Sequence, residues 1–203
     1  MELFAGTGSV GKLAKELGFE VISLDRDMPA DINKDIMDWN YQVFEPKQFD
    51  VIWASPPCTE YSRAKTTGVR DIDGANKVVQ RTLDIMEYFE PKYFIIENPQ
   101  TGLLKEQLIM YGICFDDVDY CKYGMPYRKR TRLWNNIGNW HPRPLCTGDC
   151  NSIREGSRRK QIAVAQRAPS KGDTGIRFKQ SELYVVPAPL IEDIFEAILQ
   201  TTF

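Results

Sequence analysis

The 203-residue sequence lacks a long apolar run and lacks a secretory leader pattern. No stretch reaches the roughly 18 apolar residues that a membrane-spanning helix needs. The first residues also do not show a basic segment followed by an apolar one, which is the pattern of a signal peptide. These absences exclude a membrane-embedded class and predict an intracellular protein.

Cysteine is scarce, and its number is odd. The five cysteines are Cys58, Cys114, Cys121, Cys146 and Cys150. An odd number argues against a complete disulfide framework, so we expect reduced thiols, at least one of them available for chemistry. The composition, with 42% hydrophobic and 27% charged residues, is typical of a globular domain, and the length favours a single one.

The small net charge of −2 is unevenly distributed. The segment from Lys122 to Lys179 contains fourteen Lys or Arg against three acids, whereas the remainder contains twelve bases against twenty-five acids. Aromatic residues such as Trp134 and Trp140 are interleaved with these bases. A solvated charged face is the plain explanation, but the combination is more typical of a nucleic-acid-binding surface.

The first residues predict a strand, a glycine turn and a helix. Met1–Phe4 is an apolar strand, Ala5–Ser9 contains two glycines, and Val10–Leu17 has helical spacing of apolar residues. Glycine lets the backbone approach a ligand closely, although the three-glycine dinucleotide pattern is absent and a simple tight turn is the alternative. A second strand, Phe19–Leu24, leads to Asp25, about 20 residues after the turn, where an acid binds ribose hydroxyls.

A third strand delivers a candidate nucleophile. Phe49–Ala54 is almost continuously apolar, as a buried parallel strand is, and Ser55-Pro-Pro-Cys58 follows it. The prolines fix the backbone, and the residue after such a strand lies at the carboxyl edge of the sheet, where α/β proteins bind ligands. A thiolate is a strong nucleophile. Taken alone, Cys58 is more simply explained as an inert buried cysteine. Whether it is a nucleophile therefore depends on the residues that surround it.

The next strand, Lys92–Ile96, ends in Glu97-Asn-Pro99 and so points to the same edge as Cys58. The polar segment Thr59–Gly74 between them predicts a mobile lid. The spacing of apolar residues over Asn76–Phe89 predicts a crossover helix.

Further along, the pattern predicts a helix over Gly102–Met110, strands over Ile113–Tyr120 and Arg130–Trp134, and a final helix over Ile191–Leu199. Periodicity fails between Asn135 and Phe178, where Arg154, Arg158, Arg159, Lys160 and Arg167 accumulate. We therefore predict a main domain from residues 1–134 and 179–203 and a small, loop-rich, basic insertion at 135–178.

Three residues of the insertion raise the question of a metal. His141, Cys146 and Cys150 are potential zinc ligands, but the two cysteines are separated by three residues instead of the commoner two, and a clear fourth ligand is absent. We predict no metal.

Taken in order, these motifs resemble the DNA cytosine-5 methyltransferase family across nearly the whole chain. The resemblance is carried by Phe4-Ala-Gly-Thr-Gly8, Asp25, Asp35-Ile36, Pro56-Pro-Cys58, Glu97-Asn98, Tyr123-Gly-Met-Pro126 with Arg130-Thr-Arg132, and Val186-Pro187. It implies a Rossmann-like, doubly wound, mostly parallel sheet, the fold of S-adenosylmethionine-dependent methyltransferases, with residues 135–178 as the target-recognition insertion. The chain also looks like the compact members carried by phages and large DNA viruses, which implies the cytoplasm or nucleus of a cell or infected host.

The resemblance also implies roles for individual residues. Cys58 adds to carbon 6 of a flipped cytosine, Glu97 holds the ring nitrogen and amine, and Arg132, of the pair Arg130 and Arg132, holds the carbonyl. S-adenosylmethionine is the implied cofactor. Its implied contacts are Phe4, Ala5, Gly6, Thr7, Gly8, Asp25, Arg26, Asp35, Ile36, Pro56, Val78 and Val186.

The chain departs from the family pattern at several positions. Thr59 stands where the family has Gln, Pro99 follows Glu-Asn where it has Val, and Tyr127 with one extra residue precedes the paired arginines. We expect a monomer that acts on double-stranded DNA with a brief target sequence. An RNA (tRNA) cytosine-5 methyltransferase and a catalytically silent DNA-binding or regulatory homologue remain alternatives.

Overall fold

A computed structural model describes residues 1–150 and 178–201, and these form one seven-stranded sheet with helices on both faces. The strands are β1 Glu2–Leu3, β2 Ser23–Asp25, β3 Ile32–Asn33, β4 Val51–Ala54, β5 Tyr93–Pro99, β6 Phe115–Asp119 and β7 Arg130–Asn135. The helices are α1 Ser9–Glu16, α2 Ile72–Phe89, α3 Gln180–Tyr184 and α4 Ala188–Gln200.

The order of strands across the sheet is β3-β2-β1-β4-β5-β7-β6. The pairs from β3 through β5 are all parallel, and only β7 runs antiparallel to its neighbours β5 and β6. From β1 the chain adds β2 and β3 on one side of the sheet, and it then returns to add β4 and β5 on the other side of β1. This arrangement confirms the predicted α/β, doubly wound, mostly parallel fold.

Strand β4 shows why the sheet is covered on both faces. Its alternate residues Val51 and Trp53 belong to the apolar core that α1 and α4 share, whereas Ile52 and Ala54 belong to the core under α2. All four side chains are buried. A strand buried on both faces needs apolar residues at every position, which explains the continuous apolar run in the sequence.

One predicted element differs from the structure, and two short elements were not predicted. The predicted helix over Gly102–Met110 is instead two 3₁₀ turns, Leu104–Glu106 and Leu108–Met110. Gln107 between them has extended backbone angles, so no continuous helix forms. The sequence analysis also missed β3 and α3, which are too short to produce a periodic pattern.

The start of the predicted insertion packs against the main domain. Ile137 and Trp140 are buried in the core that contains α4, and Asn139 donates a hydrogen bond of 2.8 Å to the carbonyl of Ala197 in that helix. Residues 151–177, where most of the predicted basic insertion falls, lie outside the described residues, so the domain boundary at 135 stays a prediction. Within the described residues, no helix combines the length and apolar character required to cross a membrane.

Candidate active site

A cavity of about 630 Å³ lies at the carboxyl edge of the parallel strands. The turn after β1, the end of β2, the residues after β4 and the end of β5 all contribute to its wall. Both Cys58 and Glu97 line it, as do eleven of the residues predicted to contact a cofactor: Phe4, Ala5, Gly6, Thr7, Asp25, Arg26, Asp35, Ile36, Pro56, Val78 and Val186. The crevice expected from the two strand ends is therefore present.

The glycine turn after β1 depends on left-handed backbone. Phe4, Gly6 and Gly8 have φ angles of 60°, 54° and 67°, a region that glycine adopts without strain. The amide of Gly6 donates a hydrogen bond of 2.8 Å to Oδ2 of Asp25, which fixes the turn to the end of β2. Gly8 is not part of the cavity wall: it caps α1, and its amide bonds to the carbonyl of Ala5 at 2.7 Å.

Two buried polar atoms of residues that line the cavity have no hydrogen-bond partner. These atoms are Oγ1 of Thr7 and Oδ1 of Asn98. A buried polar atom without a partner is costly, and in native proteins it signals a ligand, a water molecule or a functional role. Both oxygens therefore belong to residues with a candidate functional role at the cavity.

Arg26 and Asp35 are joined at the cavity by an ion pair of 3.0 Å. A hydrogen bond from the backbone of Met37, of 2.9 Å, is the main cause that lowers the pKa of Asp35 below its ordinary value, and Arg26 contributes further. The carboxylate is therefore charged at neutral pH. Elsewhere in the cavity wall, the amide of Val186 donates a hydrogen bond of 3.2 Å to Oγ of Ser9, which links the chain before α4 to the start of α1.

The ends of β4 and β5 are tied to each other directly. Nδ2 of Asn98 donates a hydrogen bond of 2.9 Å to the carbonyl of Pro56, two residues before the half-buried Cys58. Because Pro56 and Pro57 restrict the backbone, this bond fixes the backbone position of Cys58 relative to Glu97. Cys58 and Glu97 thus project from a rigid frame.

Glu97 is buried and is held by two donors. The hydroxyl of Tyr120 donates to its Oε1 at 3.0 Å, and Nζ of Lys129 lies 3.4 Å from the same oxygen. Burial, followed by the charge of Glu97, raises the pKa of Tyr120 well above its ordinary value. Tyr120 is therefore a hydrogen-bond donor to Glu97 at every physiological pH.

The two arginines predicted for the catalytic set do not reach the cavity. Arg130 pairs with Asp119, with Nη2 2.7 Å from Oδ2, and Arg132 pairs with Asp117, with Nε 2.7 Å from Oδ1. Successive side chains of a strand point to opposite faces, and Arg132 is in register with Asn98, not with Glu97. Neither arginine lines the cavity, which corrects the prediction that both are catalytic and that Arg132 holds the carbonyl of the cytosine.

Lys129 occupies the place expected for an arginine. It lines the cavity, its side chain is 15% exposed, and it also bonds the carbonyl of Leu183 at 3.2 Å. Sequence reasoning missed it because the run from Arg128 to Arg132 offers bases on both faces of a strand. The extra residue after Pro126 was the available signal, since an insertion of one residue reverses which face each base occupies.

The segment predicted as a mobile lid is anchored near both ends. Tyr61 is fully buried, and its hydroxyl bonds to Oδ1 of Asn76 at 2.8 Å. Arg70 donates to the carbonyls of Glu60 and Lys65 at 2.7 Å each. Val69, at the tip, is 93% exposed. Any movement of a lid would thus be confined to the tip, and the lid itself stays a prediction.

Every Lys or Arg from residue 122 to residue 143 is ion-paired with an acid. The six are Lys122, Arg128, Lys129, Arg130, Arg132 and Arg143. These bases therefore contribute less to a nucleic-acid-binding surface than their number suggests. Arg154, Arg158, Arg159, Lys160 and Arg167 lie outside the described residues, and that part of the prediction stays open.

Three comparisons with known proteins bear on this site. A model of the family described as C-5 cytosine-specific DNA methylase matches residues 1–109, which include Cys58 and Glu97. The chain is 33% identical to a protein of Frog virus 3 (isolate Goorha) named "Probable DNA (cytosine-5)-methyltransferase", over 95% of this chain and 96% of the relative. It is 27% identical to "Type II methyltransferase M.AgeI" of Thalassovita gelatinovora, over 64% of this chain and 37% of the relative.

A solved structure is similar in fold. It is an E. coli prophage protein assigned as a DNA modification methyltransferase, with a TM-score of 0.52 and 17% sequence identity. The match covers 71% of this chain and spans about half, 51%, of that chain. At this level of identity the likeness concerns the fold alone.

Proposed function

Because the chain belongs to the C-5 cytosine-specific DNA methylase family, we propose that it transfers a methyl group from S-adenosylmethionine to carbon 5 of cytosine in double-stranded DNA. The observation that supports this most strongly is the meeting of Cys58 and Glu97 at one cavity, each at the end of one of two adjacent parallel strands. The glycine turn after β1 forms another part of the same cavity wall.

The residues around the glycine turn fit the proposed cofactor. The cavity, about 630 Å³, is within the size range of small-molecule sites. Gly6 gives close backbone access, Asp25 offers a carboxylate beside the turn, and Oγ1 of Thr7 is a buried oxygen without a partner. S-adenosylmethionine, when bound there, supplies an electrophilic methyl group.

Cys58 is the proposed nucleophile. Its thiolate forms a bond to carbon 6 of the cytosine ring, and the electron pair of the carbon 5–carbon 6 double bond then makes carbon 5 nucleophilic. After carbon 5 has gained the methyl group, its proton is transferred to solvent, and the electron pair of that carbon–hydrogen bond restores the double bond. The bond to sulfur breaks in the same step, and Cys58 leaves as a thiolate.

Glu97 and Lys129 are proposed to stabilise the ring while charge builds up in it. Glu97 holds the ring nitrogen and the amine, and its own position is held by Tyr120. Lys129 brings a positive charge beside this carboxylate, in a site with little water access, where a fixed charge acts strongly on developing charge. This assigns to Lys129 the role that the resemblance gave to Arg132.

The ring must leave the DNA duplex for this chemistry. Cys58 attacks one atom of the ring while the neighbouring atom gains a methyl group. In a base that is stacked and paired in the duplex, neither atom can enter a cavity of the enzyme. We propose that the cytosine is flipped into the cavity and that the tip near Val69 closes over it.

The test is transfer of labelled methyl groups from S-adenosylmethionine to duplex DNA and, separately, to tRNA. We expect labelled duplex DNA with the wild-type chain and none with Cys58→Ala. Cys114→Ser is the matched control, because Cys114 is exposed and does not line the cavity; it should retain full activity.

Three outcomes would overturn parts of this proposal. Full activity in Cys58→Ala would exclude the covalent mechanism. Labelling of tRNA without labelling of DNA would assign the chain to RNA. Absence of transfer together with absence of S-adenosylmethionine binding in calorimetry would favour a silent DNA-binding homologue.

A further inference from the structure

Three cysteines from two separate segments of the chain come together beside the β6–β7 hairpin. Cys121 lies in the 3₁₀ turn Tyr120–Tyr123 that follows β6, and Cys146 and Cys150 lie in the segment after β7. Their sulfur atoms all lie within 4.8 Å of one another. Cys146 is buried, and the other two are half-buried.

The local backbone holds this three-cysteine cluster in place. The amide of Cys146 donates a hydrogen bond of 2.9 Å to Oδ2 of Asp119, the last residue of β6. Gly148 has a φ angle of 105°, which lets the chain turn so that Cys150 returns to Cys146. These contacts position the sulfurs independently of any bond between them.

An ion pair lies next to the same cluster. Lys122, the neighbour of Cys121, lies 2.6 Å from the carboxylate of Asp149, the neighbour of Cys150. The pair connects the two chain segments that carry the sulfurs. It also brings a positive charge close to them.

We propose that Cys121, Cys146 and Cys150 bind a zinc ion as three thiolate ligands. Zinc takes tetrahedral sulfur ligands at about 2.3 Å, which separates the sulfurs by roughly 3.8 Å, well within the observed spacing. Each thiol loses its proton on binding, so that the site carries a net charge of −1 next to Lys122.

The fourth position of the tetrahedron is left to a ligand from outside this set. Among the described residues, no histidine or carboxylate joins the three sulfurs. His141, the one histidine of the sequence, is a potential zinc ligand by residue type, but it is not a member of the cluster. The third protein ligand is instead Cys121, and the prediction of no metal is replaced by this proposal.

The site is structural in its position. None of the three cysteines lines the cavity that contains Cys58 and Glu97. The metal would instead connect the β6–β7 hairpin to Cys150, the last described residue before residue 151. It would thus fix the first part of the predicted target-recognition insertion, which contains Cys146 and Cys150, to the β6–β7 hairpin.

The first measurement is the zinc content of the full chain, purified under reducing conditions without chelator. We expect about one zinc per chain for the wild type and for Cys114→Ser, and loss of most of it in Cys121→Ser, Cys146→Ser and Cys150→Ser. Cys114→Ser is the matched control because its thiol is exposed and outside the cluster.

The second measurement needs no variant of the cluster, in case those variants fold poorly. Cobalt(II) added to the metal-free wild-type chain should give the intense absorption of thiolate-to-metal charge transfer and the visible bands of a tetrahedral site. Zinc added afterwards should abolish both signals, because zinc binds thiolates more tightly than cobalt does.

Two results would overturn the proposal. One is a wild-type chain that retains no zinc and gives no thiolate charge-transfer band with cobalt. The other is a disulfide between two of the three cysteines in the chain purified without reductant, detected as three titratable thiols among the five after unfolding.

Discussion

Nζ of Lys129 lies 3.4 Å from Oε1 of Glu97, whereas the guanidinium of Arg132 is held by Asp117 through two hydrogen bonds of 2.7 and 2.9 Å. The two bases therefore have different partners although they are three residues apart. Lys129 is available to the site, and Arg132 is part of the framework of the hairpin.

The first prediction follows from this difference. Lys129→Met should lower kcat by about 10²- to 10³-fold, the usual effect of removing one group that stabilises charge in the transition state. Lys129→Arg should recover much of the loss, because it restores a positive charge at the same place. Steady-state methyl transfer to duplex DNA measures both.

Arg132→Met is the matched control, because Arg132 lies three residues further along the chain and does not line the cavity. It should lower the melting temperature, because it leaves Asp117 without its partner, but it should change kcat of the folded protein only slightly. If Arg132→Met removed activity while Lys129→Met did not, the assignment of the positive charge would be reversed.

The second prediction concerns the positioning of Glu97 by Tyr120. Tyr120→Phe removes the hydroxyl that donates to Oε1 of Glu97 and leaves the buried ring in place. We expect a fall in kcat with little change in the dissociation constant for S-adenosylmethionine, and a loss of about 1–3 kcal/mol in the free energy of unfolding, since the buried carboxylate loses a donor. An unchanged kcat would mean that Lys129 alone positions Glu97.

The third prediction concerns Thr7 in the cofactor wall. Thr7→Val replaces a buried hydroxyl that has no protein partner by a methyl group of the same shape. The free energy of unfolding should therefore not fall, while the dissociation constant for S-adenosylmethionine should rise by up to about tenfold, the effect of one hydrogen bond. Calorimetric titration and urea unfolding separate the two effects, and equal cofactor affinity in both proteins would remove Thr7 from the proposed contacts.

The fourth prediction concerns Asp119, whose side chain is fully buried between Arg128 and Arg130. Burial alone would raise its pKa, but hydrogen bonds from Arg130, the amide of Cys146 and Arg128 together lower the pKa below its ordinary value. Asp119→Ala should lower the free energy of unfolding by about 3 kcal/mol at neutral pH, as expected for a buried charge pair that loses one partner.

The pH dependence follows from the sign of that shift. Because the pKa of Asp119 is lower in the folded chain, its contribution to stability is complete above the unfolded value of about 3.9 and is lost as pH falls through the folded value. The difference in unfolding free energy between wild type and Asp119→Ala should hence shrink below about pH 4. Asp117→Ala, with a carboxylate that is partly exposed, is the matched control and should cost less; a pH-independent difference would contradict the electrostatic explanation.

Local patterns were sufficient to predict most of the strands and helices, and the family resemblance implied the fold and most of the residues that line the cavity. The apolar run before Ser55 required a strand buried on both faces, and the glycine turn after Phe4 required a left-handed backbone. Parallel strands bring their carboxyl ends to one edge, so the meeting of Cys58 and Glu97 followed from strand order. The strand and the turn depend on near neighbours in the chain, whereas the meeting of Cys58 and Glu97 also requires that β4 and β5 are adjacent in the sheet.

Two other features depend on contacts between distant segments, which local sequence patterns do not predict. Which bases of the run Arg128–Arg132 face Glu97 is decided by the register between β5 and β7, and a shift of one residue exchanges the two faces. The helix predicted over Gly102–Met110 was wrong because Gln107 adopts an extended backbone there.

The sequence by itself determined the main strands and the cysteine and glutamate at two strand ends, because periodicity and turn chemistry are local, and its resemblance to a known family implied the mostly parallel α/β sheet. The tertiary structure alone decided that Lys129 and not Arg132 stands beside Glu97, and that Cys121 joins Cys146 and Cys150. Both depend on pairing between segments far apart in the chain, and such pairing is selected by packing and register over the whole sheet.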